Sequence, residues 1–359
     1  MTPREQLFCV LSGGIPETTP RWLLFPYHKL GCYIDVRQHP AYKKVHEASI
    51  NKAVILNRRN FGASVFTDEV KIQKEGSRTI WKYNNIELYE EVRTMPDGSV
   101  IIKKLLQNEE DLLNFCKFPV LTDKKLIKAH MDKKLDDYLR EKAEFPPEYG
   151  AMMLDLGEPI SQLYNKSDLQ EYAIWSITAN EIVKQFLDNM MERYRCIYSY
   201  CLEKKLADVY FMVGSELASP PMVSRETFQQ WIVPYATELI GMIHSAGSFA
   251  IQHYHGQIKE ILPDFLTMNP DGLHTIESPP IGNCTMQEAY DIVGNRIALI
   301  GNIQYDELRS RSPEEIAIAA RNLIKDCKGR RFILSTTAGP FDPAPRPELI
   351  DNYLAFINA

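Results

Sequence analysis

The stretch 248–303, SFAIQHYHGQIKEILPDFLTMNPDGLHTIESPPIGNCTMQEAYDIVGNRIALIGNI, decides the fold. Three short apolar runs, SFAIQHY (248–254), GLHTIE (272–277) and RIALIGNI (296–303), alternate with helical patterns over 257–268 and 285–294. Short apolar runs bounded by turn residues read as buried strands, and strand–helix alternation builds a parallel sheet. Outward from this core the pattern continues. RWLLFP (21–26), SVFTDE (64–69), AMMLDLG (151–157), DVYFMVG (208–214) and FILSTT (332–337) add five strands, with helices over 169–203, 224–246, 313–327 and 346–357. Ser224, Thr285 and Ser312-Pro313 stand where helix caps are needed. Eight strands in one α/β chain of this length favour a closed (β/α)8 TIM barrel, a single domain over 1–359, against an open sheet.

One segment departs from the pattern. In 70–105, Asn84-Asn85 and Asp97-Gly98 separate apolar runs and signal tight turns, so a β-hairpin insertion is expected after the second strand. It could serve as a lid or docking surface, or simply pack on the barrel.

Composition narrows the function classes. The chain is 45% hydrophobic and 25% charged, with a net charge of −6, which is ordinary for a globular protein and unfavourable for nucleic acid as a main partner. No apolar run approaches the ~20 residues of a membrane span, and MTPREQLFCVLSGG (1–14) is too polar for a signal peptide. The seven cysteines, Cys9, Cys32, Cys116, Cys196, Cys201, Cys284 and Cys327, are odd in number and form no CxxC pair. A reduced, cytoplasmic protein is the expectation.

In a barrel of this kind the active site lies at the carboxyl ends of the strands. The polar residues expected there are Tyr27, His28, Asp68, Glu69, Asp155, Glu158, Ser215, Glu216, His253, His255, Glu277, Asn302, Thr336 and Thr337. His253 and His255 are two apart, so a strand sends both imidazoles to one face. Glu277 follows 22 residues after His255, at the end of the neighbouring strand. Two imidazoles and a carboxylate suffice for an open zinc site. Two hydrogen-bonded histidines and a surface glutamate fit the same spacing.

The segments 222–247, IQHYHG (251–256), 277–303 and 332–357 resemble the uroporphyrinogen decarboxylase superfamily, and in particular its cobamide-dependent methyltransferase branch. The resemblance implies a TIM barrel, in agreement with the strand count. It speaks against decarboxylation of the acidic porphyrinogen. That enzyme has an arginine-rich motif after the first strand, where this chain has FPYHKLGCY (25–33), without arginine. The zinc methyltransferases of the superfamily carry H-x-C, a later glutamate and a final cysteine. Here His253 matches the first ligand, His255 stands at the first cysteine, Glu277 matches the glutamate, and Ala338 falls at the last cysteine.

Loss of both thiolates changes the expected chemistry. Zinc on two His and one carboxylate is a stronger Lewis acid than zinc on two thiolates, and suits an oxygen that must leave. The resemblance therefore implies a methyltransferase of the O-demethylase kind. It would take methyl from a methyl ether, an aryl one by the aromatic content near the strand ends, and pass it to a Co(I) corrinoid (cobalamin). No corrinoid-binding signature is present in the chain, so the corrinoid would ride on a separate corrinoid protein. The expected roles are zinc ligation by His253, His255 and Glu277; proton supply or substrate placement by Tyr27, His28 or Glu216; and substrate contact by Asp68, Glu69, Tyr254 and Asn302. Methyl transfer from a methylcorrinoid to a thiol, a metal-free lyase, and a non-catalytic scaffold for a corrinoid partner are the rivals. A homodimer stays open.

Overall fold

The computed structural model describes residues 1–31 and 33–359; Cys32 lies outside them. Eight parallel strands form the central sheet: β1 (Arg21–Trp22), β2 (Ile55–Asn60), β3 (Gly150–Asp155), β4 (Val209–Met212), β5 (Phe249–His253), β6 (Gly272–His274), β7 (Ala298–Ile303) and β8 (Phe332–Thr336). Their order around the sheet is β1-β8-β7-β6-β5-β4-β3-β2. A parallel bridge from Trp22 to Val54 joins the two ends and completes the ring. The fold is a TIM barrel with its helices outside.

The second strand is AVILNRRN (53–60) and not SVFTDE (64–69). Val54, Ile55 and Leu56 are buried, and the polar tail Asn57–Asn60 pairs with β3 over its whole length. Its side chains find partners among neighbours that the sequence does not place nearby. Residues 64–69 run past the barrel instead, with Phe66 bridged antiparallel to Val120.

Beyond them lies a four-stranded antiparallel meander, Lys71–Glu75, Arg78–Tyr83, Ile86–Thr94 and Val100–Lys103. Asn84 adopts φ 52° and Gly98 φ 82° at two of its turns, where left-handed backbone favours these residues. Gly76, at φ 59°, makes a further hairpin, which the expected insertion lacked. Trp81 anchors the sheet edge-on against Phe66, and Tyr83 meets Phe118.

The barrel strands are buried on both faces, and their successive side chains alternate between two cores. Trp22, Leu56, Met153, Phe211, Ile251, Ile300 and Ile333 fill the barrel interior. The helix Pro3–Leu11, opened by a Thr2/Glu5 capping box, closes the lower end with Leu7, Val10 and Leu11. The opposite face of each strand packs against the helices. Thr2, Ser224, Thr285 and Ser312 all cap their helices through side-chain oxygens. The 169–203 pattern breaks at Ala179 into two helices, Leu169–Thr178 and Asn180–Glu203.

Candidate active site

The inward-facing register extends past the apolar layers to the top of the barrel. Arg58 follows Leu56 on β2, Asp155 follows Met153 on β3, His253 follows Ile251 on β5, and Asn302 follows Ile300 on β7. His274 ends β6 directly opposite His253. These positions share the period-two logic of a strand.

His253 and His274 form a fixed pair. Their rings stack with centroids 4.8 Å apart, and their Nδ1 atoms are 2.7 Å apart. Nε2 of His274 lies 2.9 Å from the carbonyl oxygen of Thr336. A carbonyl only accepts, so this nitrogen carries a proton. Burial, with Thr336 opposing and the charges of His255 and Arg58 adding, pushes His274 down to about 3. Neutral His274 then has a lone pair on Nδ1, and Nδ1 of His253 must donate to it. Burial, helped by His274, His255 and Arg58, also keeps His253 well below its usual value. His253 is left as the tautomer with a bare lone pair on Nε2.

That lone pair faces Glu216, whose Oε1 lies 3.7 Å away. The separation is too long for a hydrogen bond. It is a spacing at which two donors share one zinc ion about 2.0–2.1 Å from each. The other oxygen of Glu216 accepts the Gly214 amide at 3.0 Å. Burial raises the Glu216 carboxyl, against the opposing pull of backbone amides and His255.

His255 stands across from His253, rings perpendicular and centroids 4.6 Å apart. Its Nδ1 is 3.1 Å from Oε1 of Glu277. Burial lowers the imidazolium, but the Glu277 hydrogen bond and charge, with Glu216, carry the net shift upward. Glu277 is 4% exposed and its Oε2 accepts the Gly256 amide at 2.7 Å. Burial pushes its carboxyl up, yet His255 and Gly256 outweigh that and hold it low. Glu277 thus stands behind His255 as an orienting carboxylate, an arrangement that commonly supports metal-bound histidines. Two tight backbone turns bring it there. Gly256 takes φ 77°, and a Cβ at Gly282 would lie 2.0 Å from the Glu277 carbonyl oxygen.

Among the described residues, no three His, Cys, Asp or Glu side chains are already grouped around one point as metal ligands. The donor chemistry fits zinc nonetheless: the neutral His253 imidazole, the His255 imidazole once a metal displaces its proton, and a carboxylate. His255, with its side chain 42% exposed, is the donor with room to turn.

A buried polar layer supports these groups. Glu158 accepts from Ser215 Oγ at 2.7 Å. Burial, opposed by that bond and reinforced by Glu216 and Asp155, raises it to about 7. Arg58 pairs with Asp155 and donates to the Tyr33 hydroxyl at 3.1 Å; its guanidinium lies 5.1 Å from the Phe211 ring centroid. Tyr33 stacks on Phe341 at 5.2 Å, and Tyr305 meets Phe341 edge-on.

Several residues expected in this cluster lie elsewhere. His28 is held between Asn57 and Glu144, at 3.0 and 3.2 Å, on the outward face of β2. Tyr27 packs edge-on against Phe145 and under the Arg37 guanidinium. Asp68 and Glu69 line a separate cleft with Tyr83 and His130 beside the meander, because 64–69 is not a barrel strand. Tyr254 alternates away from His253 and His255 into the helix layer, against Phe228 and Phe265. Asn302 donates to the Ile276 carbonyl and to Ser278, and so ties β7 to the loop carrying Glu277. Thr336 contributes its carbonyl to His274, and the Thr337 hydroxyl bonds Gln304.

His274 and Arg58 belong to the cluster without having been singled out. His274 was legible, since alternation along GLHTIE puts it on the inner face. Arg58 was hidden by the misplaced second strand.

Residues 160–353 match the family model described as Uroporphyrinogen decarboxylase (URO-D). The chain belongs to the uroporphyrinogen decarboxylase family. Among solved structures, a methyltransferase from Methanosarcina mazei aligns over 100% of this chain and 98% of its own, with TM-score 0.61 and 16% identity. At that identity the likeness speaks for the fold. A B12-independent methionine synthase from Shewanella sp. W3-18-1 aligns over 95% of both chains at TM-score 0.40 and 13% identity, too loosely to carry an argument. No curated protein matches the chain. No helix among the described residues of this family member is long and apolar enough to cross a membrane.

Proposed function

We propose that this family member is a methyltransferase that removes the methyl group from the oxygen of a methyl ether, an aryl ether in particular, and passes it to the Co(I) corrinoid of a separate protein. The observation that carries the reading is the unshared Nε2 lone pair of His253, set 3.7 Å from Glu216 and across from the Glu277-bound His255. His253, His255 and Glu216 would hold zinc, and Glu277 would orient His255 from behind. Zinc on such a set, free of thiolates, supplies a Lewis acid for the departing oxygen. The remaining parts follow from the chain's own residues. Tyr33 and Phe341 offer a stacked aromatic wall for an aryl ring. Glu158, its pKa raised to about 7 and its carboxyl bonded to the Ser215 hydroxyl, holds a proton within the buried layer. Arg58, held in place by Asp155, offers guanidinium N–H donors toward an anionic product oxygen.

The test is metal content followed by turnover. The purified protein should hold about one zinc per chain, lost in His255→Ala. It should demethylate a methoxylated aromatic in the presence of a Co(I) corrinoid protein, read from the corrinoid spectrum. A protein that takes up no zinc on reconstitution and transfers no methyl group refutes the reading.

A further inference from the structure

The end of the barrel remote from His253 carries a second concave feature. A cleft of about 840 Å³ opens where β1 and β8 begin. Five cations line it, Arg21, Arg321, Lys325, Lys328 and Arg330, against one acidic side chain, Glu17. This concentration of positive charge sits on a chain whose net charge is −6. Its volume is in the range of small-molecule sites.

Arg21 and Arg330 have contacts within the fold, the latter over the Tyr290 ring, and among the described residues the other three cations do not. Arg321, Lys325 and Lys328 have no ion-pair partner among the described residues. Arg21 hydrogen-bonds the carbonyl of Thr19 and a main-chain oxygen of Ala359, the last residue of the sequence, and its buried Nε has no partner among the described residues. The helix Pro313–Asp326 ends at this cleft, and the negative end of its dipole, roughly half an elementary charge, would be offset by Lys325 alone. Arg321 and Lys328, both exposed, remain without an ion-pair partner among the described residues. Ile15, Ile324 and Phe332 give the same cleft an apolar wall.

We propose that this face binds a small phosphorylated molecule with an apolar or planar part, a nucleoside diphosphate or triphosphate by size and chemistry. The phosphates would meet the arginines and lysines, and the base would lie along the apolar wall. The site is independent of the methyl-transfer reading and separated from the mouth by the whole depth of the barrel.

Calorimetric titration of the full chain with ADP, inorganic pyrophosphate and adenosine tests this. ADP should bind more tightly than pyrophosphate, and adenosine least. Arg321→Glu/Lys325→Glu, two exposed positions, should weaken ADP at least tenfold. His255→Ala should leave ADP affinity unchanged. Absence of ADP and pyrophosphate binding at millimolar concentration overturns the proposal. So does an ADP affinity unmoved by the double substitution, or one lost in His255→Ala, which would place the ligand at the mouth. A chain that is dimeric, fails to bind ADP and dissociates in the double variant would assign the face to a second copy instead.

Discussion

The His253–His274 pair makes a sharp demand on one substitution. In His274→Leu, the Nδ1–H of His253 loses its acceptor in a buried setting. An orphaned buried donor costs about 1–3 kcal/mol. The Thr336 carbonyl loses one partner but keeps the Ser335 hydroxyl at 3.0 Å, a loss of about 1 kcal/mol. The expected destabilisation is therefore about 2–4 kcal/mol, a large part of a typical ~5–15 kcal/mol stability. The second consequence is chemical. Without His274 nothing fixes the His253 tautomer, and zinc affinity should fall about 10–100-fold, as it does when an outer partner of a metal-bound histidine is removed. His274→Gln, whose amide can both accept from His253 and donate to Thr336, should recover part of both losses. Urea unfolding gives the first quantity and competition with a zinc chelator the second. A His274→Leu protein that unfolds at the wild-type midpoint and binds zinc as tightly as wild type would refute the tautomer reasoning.

Other expectations follow from the same layer. Glu158 has a folded pKa of about 7 against an ordinary 4.5, so its contribution is fully present below pH 4.5 and is lost as pH rises to about 7. That loss amounts to about 3 kcal/mol, and Glu158→Gln should flatten the pH dependence of the urea midpoint over this window. Arg58→Met leaves Asp155 buried and unpaired, with a cost of about 3–5 kcal/mol, and Arg58→Met/Asp155→Leu should regain most of it in thermal unfolding. Gly282→Ala forces a Cβ onto the Glu277 carbonyl; it should destabilise by about 1–3 kcal/mol and weaken zinc binding, while a wild-type zinc affinity would show that the loop yields freely. His28→Ala should leave zinc affinity and methyl transfer within about threefold of wild type and cost about 1 kcal/mol in stability, because His28 lies outside the mouth; a hundredfold fall in turnover would contradict that placement.

Local sequence determined a good deal of this protein. Alternation of buried runs and capped helices was enough for the barrel, because strands covered on both faces and amphipathic helices have few ways to pack together. The H-x-H spacing placed His253 and His255 on one face, since the side-chain period of a strand is two. The same rule would have brought in His274 and set Tyr254 aside. Tertiary structure decided the rest. Arg58 and Asn57 look like loop residues in LNRRN, and only Asp155, His28 and Met152 across the strand pair make them part of a barrel. Glu277 has the spacing of a ligand, and only the turns at Gly256 and Gly282 bring its carboxylate onto His255. The unshared lone pair of His253 depends on a carbonyl at Thr336, 83 positions further on in sequence. Hydrogen-bond direction is set by partners converging from β5, β6 and β8, and no local pattern in the chain encodes that convergence.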